Sequence, residues 1–421
     1  MKFRKDRKTG STKGTTAAFG PRQILRSRLR LRLHQFLKVA GWRPASRRRP
    51  DFIELVPEPR NSAEFSDISA RVNWYLGDAG IPLYMAGSTF PLDPDLVPYL
   101  DADLVADPGW VRERPSGQGF TLVHRLTLST ALRTWTRRQP VVCADNRLHA
   151  DSELQYGRVR NSYSWPTYPS PERSLEKLQK LSTDSGSAFV LTTGPSASTV
   201  DFDRVDADVR LTCNSAVRNL DLIRKFRPNI IAFADPVFHL GPSRYAADFR
   251  RDAIRAAEEV DALLVCGADW AAPLLGRYPE IADRLVVIPQ IQGGPVRWPQ
   301  ESDPTIRVGT SVLTTLLLPI AFMLADHVEV AGADGRQPSE NYFWTHNPQL
   351  QYSDGLMQTV FDSHPAFFRD RDYADFYDEY CEELEEVIQL GERAGKTVRA
   401  AAPSWIPALR ARGAAAPDGQ S

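Results

Sequence analysis

Short apolar runs alternate along the chain with stretches of helical periodicity, so the pattern predicts strands feeding helices and returning. In the first third the runs 52–56, 82–86, 104–106 and 141–144 read as strands, with helices over 63–76 and 128–137 between them. Further on, strands are predicted at 187–192, 209–213, 229–234, 262–266, 284–288, 327–331 and 397–401. Helices are predicted at 216–226, 312–324 and 373–393, the last turning Tyr373, Phe376, Tyr377, Tyr380, Leu384, Val387 and Ile388 inward. Strands that alternate with helices give parallel sheets. The expected fold is α/β: a Rossmann-like, mostly parallel sheet with helices on both faces over 187–409, preceded by a smaller α/β domain over 52–164. Residues 165–186, with Pro166, Pro169 and Pro171 and then a short Leu/Lys helix, read as a linker.

The strand ends carry the candidate chemistry. The run 187–192 feeds Gly194-Pro195-Ser196, the next ends at Cys213-Asn214, and the third ends at Asp235-Pro236. In open parallel sheets ligands bind beyond the carboxyl ends of the strands, where turns expose backbone N–H groups and short side chains. Glycine allows close backbone approach there, and an asparagine amide both donates to and accepts from a base or ribose. Gly309-Thr310-Ser311 opens the apolar helix 312–324, a position suited to a phosphate or to a simple N-cap. Strand 327–331 then ends in Gly332-Ala333-Asp334. A nucleotide or nucleotide-sugar pocket built from these tips is the leading expectation. Asp145, Asn146, His149 and Asp151, after the strand 141–144, read as ordinary turn formers.

Composition and charge narrow the function. A chain of 421 residues, 42% hydrophobic and 25% charged, suits a soluble globular protein with two buried cores. Its zero net charge hides an asymmetry: residues 1–49 hold 16 of the 52 Lys and Arg and one acid, leaving 36 basic against 51 acidic residues, or −15, for the remainder. An acidic body argues against long nucleic-acid contacts. Within the tail, Leu25, Leu29, Leu33, Phe36, Leu37 and Ala40 fall at helical spacing while Arg22, Arg26, Arg28, Arg30 and Arg32 take other faces. This basic amphipathic helix, 22–40, fits an anionic membrane surface, a site on the chain's own acidic body, or a nucleic-acid arm. No apolar h-region follows the first basic residues, and the longest apolar run, 312–325, is interrupted, so neither a signal peptide nor a membrane span is expected. The setting expected is cytoplasmic, peripheral to the inner membrane face if the tail binds lipid. Cys143, Cys213, Cys266 and Cys381 lack zinc or disulfide spacing and read as reduced thiols.

Between 341 and 365 the chain has little periodicity and carries Asn341, Tyr342, Trp344, His346 and Ser363-His364-Pro365. Long irregular stretches in compact domains tend to be lids or binding loops. A tyrosine there can neutralise a leaving phosphate, and a histidine can take a proton from an attacking alcohol near pH 7.

On the GPS turn with its Val-Asp-Phe-Asp-Arg link, the Cys213-Asn214 strand end, the Asp235-Pro236 turn, Gly309-Thr310-Ser311 before a long helix, Gly332-Ala333-Asp334 and a late histidine, residues 187–405 resemble the bacterial sialyltransferases of glycosyltransferase family 42. The resemblance implies a Rossmann-like domain that takes a CMP-activated acidic sugar and transfers it with inversion and without metal or other cofactor to a glycan or glycolipid acceptor. It also implies tyrosines on the phosphate and a histidine base. By motif position Gly194, Pro195, Ser196, Asn214, Thr310 and Ser311 would hold the nucleotide, with Asp235, Gly332 and Asp334 at the same rim. Tyr342 matches a phosphate tyrosine, with Tyr352 as a candidate pair, and His364 or His346 the base. Asp235 stands where that family tends to have Asn. Two other readings stay open: a Mg²⁺-dependent pyrophosphokinase similar to hydroxymethylpterin diphosphokinases, in which Asp235 and Asp334 would be metal ligands, and a non-catalytic nucleotide-binding module. The Asp-x-Asp pairs at Asp201/Asp203 and Asp206/Asp208 read as solvated or capping carboxylates.

Overall fold

The computed structural model describes residues 50–135, 139–148, 155–156, 169–182, 186–336, 352–369 and 373–413. Tyr342, His346, His149, Asp151 and the basic tail with its helix 22–40 lie outside the described residues.

Two parallel sheets carry the fold. The first is built from β1 (Phe52–Val56), β2 (Leu83–Met85), β3 (Trp110–Val111), β4 (Gly119–Val123) and β5 (Val141–Cys143) in the order β3-β2-β1-β4-β5. The second holds β6 (Ser187–Leu191), β7 (Val209–Cys213), β8 (Ile230–Ala232), β9 (Leu263–Gly267) and β10 (Leu285–Ile288). A small pair, β11 (Gln290–Ile291) and β12 (Ile306–Arg307), follows, and β13 (His327–Ala331) and β14 (Thr397–Ala400) complete the second sheet in the order β10-β9-β8-β7-β6-β13-β14. All pairings in both sheets are parallel. The fold is α/β and Rossmann-like.

In each sheet the chain winds outward in one direction, then returns to the starting strand and winds the other way. The reversal falls between β1 and β4 in the first sheet and between β6 and β13 in the second. At such a switch point the connections leave in opposite directions and open a crevice at the carboxyl edge.

Strands buried on both faces explain the unbroken apolar runs of the second sheet. Alternate residues serve two cores: Ile231, Leu264, Cys266, Leu285 and Val287 face one, whereas Ile230, Ala232, Val265, Val286 and Ile288 face the other. The second of these cores is closed by Leu313–Leu317, a π-helical turn, by Leu318–Leu324 and by Tyr373–Arg393. The first core is common to both sheets. It gathers Ile53, Leu55, Phe120 and Leu122 of the first sheet, the apolar side of helix Ser62–Leu76, and Phe249, Ala253, Ala256 and Ala257 of helix Arg244–Val260.

Polar ties cross the same layer. Trp74 Nε1 donates to Leu240 O at 2.8 Å, Arg71 donates to Ser363 O at 3.0 Å, and the buried Arg250 guanidinium lies 3.9 Å from the Trp74 ring centre.

Two sequence expectations need correction. Residues 104–106 form no strand; Ala102–Leu104 is a 3-10 turn, and the central place beside β1 belongs to Gly119–Val123. The helix read over 216–226 divides into a 3-10 turn, Asn214–Arg218, and a helix, Leu220–Phe226, because Asn219 caps the second piece by accepting the N–H of Leu222. The helix Pro171–Gln179, within the segment read as a linker, packs on β10, where Ser174 Oγ accepts the N–H of Val287.

Candidate functional site

The second switch point brings β6 and β13 side by side, and their following turns are sewn together. Gly194 N donates to Gly332 O at 2.8 Å, Gly332 N donates to Ser196 Oγ at 3.2 Å, and Ser196 N donates to both carboxylate oxygens of Asp334 at 3.1 Å. Glycine is required at both ends of this stitch. A Cβ on Gly194 would run into Asp334 Oδ2 and Gly332 O, and Gly332, at φ +77°, would meet Thr192 O. Pro195 sets the first turn of the 3-10 segment Pro195–Thr199, and Ser404 Oγ fixes the opposite side by donating to Ala333 O at 2.6 Å. Burial raises the Asp334 carboxyl above the ordinary range, opposed by the hydrogen bonds from Ser196.

Asn214 ends β7, the neighbour of β6. Its φ of +52° places it in the left-handed region, which asparagine tolerates better than most residues. Its carboxamide oxygen is buried and accepts no hydrogen bond among the described residues. A buried acceptor without a donor is costly, and such groups mark sites that a ligand or water completes. Ser196, Asn214, Gly332 and Asp334 therefore share one rim, across three adjacent strand ends.

Asp235 belongs to the same edge at a greater distance. It follows β8 by three residues, and its Oδ1 accepts the N–H groups of Val237 at 2.7 Å and Phe238 at 2.9 Å, which fixes a tight turn beyond the strand. In strand order β7 and β6 stand between β8 and β13. At roughly 5 Å per parallel neighbour, β8 and β13, the strands that Asp235 and Asp334 follow, are about 14 Å apart across the sheet. No group of three His, Cys, Asp or Glu able to hold a metal occurs among the described residues.

Thr310 and Ser311 lie in the layer beneath, where the π-helical turn packs on β7. The helix end does hold an anion, and it is one of the chain's own. Glu383 Oε2 accepts Thr310 N and Thr310 Oγ1, each at 2.6 Å, and Thr314 Oγ1 at 2.9 Å; Glu383 Oε1 pairs with Arg307 at 3.0 Å. Ser311 turns inward on Thr314. Glu383 escaped the sequence reading, although a signal existed: it falls between Tyr380 and Val387 on the apolar stripe of its helix, where a lone carboxylate needs donors.

His364 is 2% exposed and follows the helix Asp354–Ser363. Its Nε2 would lie 2.9 Å from a Cβ placed on Gly241, in the loop beyond β8, and burial with the Arg71 charge nearby holds its pKa well below the ordinary value. The structure thus brings together Gly194, Pro195, Ser196, Asn214, Gly332 and Asp334, sets Asp235 one strand beyond Asn214 and three from Asp334, and holds Thr310, Ser311 and His364 in other packed layers. Tyr352 sits elsewhere too, donating to Asp252 Oδ2 at 2.6 Å. Cys143, Cys213, Cys266 and Cys381 are free thiols.

No protein-family model matches the chain, and no curated protein matches it. Among solved structures, the sialyltransferase CstII from Campylobacter jejuni, in complex with the substrate analogue CMP-3FNeuAc, is similar over 53% of this chain and 87% of that chain, at 8% identity and a TM-score of 0.28. A likeness this distant carries no argument about the present chain. Among the described residues no helix is long and apolar enough to cross a membrane.

Proposed function

We propose that the chain is a glycosyltransferase that binds a nucleotide-activated sugar across the ends of β7, β6 and β13. The observation that carries the reading is the buried, undonated carboxamide oxygen of Asn214 beside a glycine-stitched switch point. In this reading Asn214 meets the base or ribose, and the Asp334 carboxylate accepts ribose hydroxyls, the use that dinucleotide folds make of an acid near the same crevice. The helix start that the sequence offered to a phosphate already holds a carboxylate, Glu383 on Thr310, and so does the Gly194-Pro195-Ser196 turn, where Asp334 accepts Ser196 N. The leaving phosphate is therefore assigned to Tyr342, in the segment that follows Asp334.

The donor proposed is a CMP-activated acidic sugar, and the acceptor a hydroxyl of a glycan or glycolipid. A histidine, His346 or His364, takes the acceptor proton as the bond from the anomeric carbon to the phosphate breaks, with inversion and without metal. For His364 this role requires the helices Asp354–Ser363 and Pro365–Arg369 to draw back from Gly241, because a buried imidazole reaches no acceptor.

Thermal shifts with CMP, CDP, UDP, GDP and ATP, each with EDTA or Mg²⁺, test the reading. Stabilisation by CMP in EDTA is the expected result. Stabilisation that needs ATP with Mg²⁺ points to pyrophosphoryl transfer and would overturn it, as would no response to any nucleotide.

A further inference from the structure

A phosphate bound at the β7–β6–β13 rim needs a positive charge, because the backbone donors of Ser196 and Thr310 are already given to carboxylates. Two arginines against the helix Tyr373–Arg393 are neutralised by its glutamates, Arg307 by Glu383 and Glu386, and Arg412 by Glu385 and Glu392. Arg336 is not. It follows Asp334 by two residues, is part-exposed, and has no carboxylate within ion-pair distance among the described residues. What holds it is Tyr377 of the same helix, 8% exposed. Gly335, at φ +73°, presses the turn onto that helix, where a Cβ would lie 2.7 Å from both Ile406 Cγ1 and the Tyr377 hydroxyl. Arg336 N donates to that hydroxyl at 3.2 Å, and the guanidinium carbon lies 4.4 Å from the ring centre. A ring face orients a guanidinium without cancelling its charge or using up its N–H donors. The Tyr377 ring packs on Tyr380, 6.3 Å between centres, and Tyr380 is within electrostatic reach of Cys213, the residue before Asn214.

We propose that Arg336 is the charge partner of the nucleotide's phosphate, an inference that rests on the nucleotide reading of this rim. Asn214 and Arg336 follow β7 and β13, two strand steps or about 10 Å apart, a span comparable with a nucleoside 5′-phosphate laid from base to phosphate. One end offers an undonated amide oxygen and the other an unneutralised guanidinium. The planar fork of an arginine matches two phosphate oxygens at once, which a single ammonium does not. Held in place by Tyr377, it meets the charge that grows on the phosphate as the bond to the sugar breaks.

Titration calorimetry of the full chain with CMP, and with cytidine, which lacks the phosphate, tests it. The wild-type protein is expected to prefer CMP. In Arg336→Gln the affinity for CMP is expected to fall about tenfold or more, the value of a charged hydrogen bond, while that for cytidine stays as in wild type. Arg336→Lys, which keeps the charge and loses the fork, is expected to fall between the two, with unchanged thermal melting confirming the fold of each variant. A well-folded Arg336→Gln that keeps the wild-type preference for CMP over cytidine, or that loses both ligands equally, overturns the role of Arg336 and leaves the nucleotide reading standing. Wild-type protein that does not bind CMP overturns that reading and this inference together.

Discussion

Asp334 accepts the backbone N–H of Ser196 through both carboxylate oxygens, each 3.1 Å away, so the turn after β13 caps the turn after β6. Replacing Asp334 with Ala removes that acceptor and leaves a part-buried N–H without one, a cost of about 1–2 kcal/mol. Asp334→Asn retains an acceptor oxygen and is expected to keep most of the stability. Urea unfolding of the two variants separates these outcomes; equal losses would show that the hydrogen bond contributes nothing.

Gly332 and Gly395 both adopt positive φ, +77° and +84°, but only Gly332 is crowded, since nothing lies within 4 Å of a Cβ on Gly395. Alanine at Gly395 is expected to cost about 1–2 kcal/mol from the backbone alone. At Gly332 it must also push apart the ends of β6 and β13, so the loss is expected to be roughly twice that or more. Melting temperatures of the pair measure the difference.

Asn214→Gly separates backbone from chemistry. Glycine accepts the φ of +52° without strain, so stability should be kept or slightly raised. The amide is lost, and nucleotide affinity is expected to fall about tenfold, the value of one hydrogen bond to a group that would otherwise be left undonated. Titration calorimetry with the nucleotide found in the thermal-shift panel checks it, and undiminished affinity would remove Asn214 from the site.

Three buried histidines make stability depend on acid. Burial lowers His124 and His239 to about 4, and His364 is held well below its ordinary value of 6.5. All three are neutral in the folded chain, whereas the unfolded chain takes up protons once the pH drops below about 6.5, so unfolding gains protons and stability falls. Above that pH their effect is flat. Between about pH 6.5 and about pH 5 the loss is roughly 2 kcal/mol per histidine, partly opposed by Asp334, whose raised pKa works the other way. Denaturant midpoints compared near pH 7 and near pH 5 give the answer, and a midpoint that does not move would contradict the burial of these rings.

Much of this architecture was legible in the chain because buried parallel strands leave unbroken apolar runs: β1, β6, β7 and β13 stand where the pattern put them. Gly119–Val123 was not, since its Gly and Thr dilute the run; the glycine is there because a Cβ would strike the Phe52 ring on β1. The helix Arg244–Val260 hid behind its many charged residues, its inward face built largely of alanine. At the rim, the small and polar tips on β6, β7 and β13 were readable one by one. Their mutual bonds were not, because Ser196 and Asp334 lie 138 residues apart and Thr310 and Glu383 lie 73 apart. A carboxylate that fills a helix end from so far along the chain leaves no local pattern around that helix end.

Because Phe249 and Val287 share an apolar interior with Ile53 and Leu122, the two halves of the chain hold one core in common, beside the core that the second half keeps to itself. Severed near residue 180, each fragment would present to water the surface it normally gives to the other, and would clump or stay unfolded. Recombined, the fragments should cover that shared surface again and melt higher than either does alone.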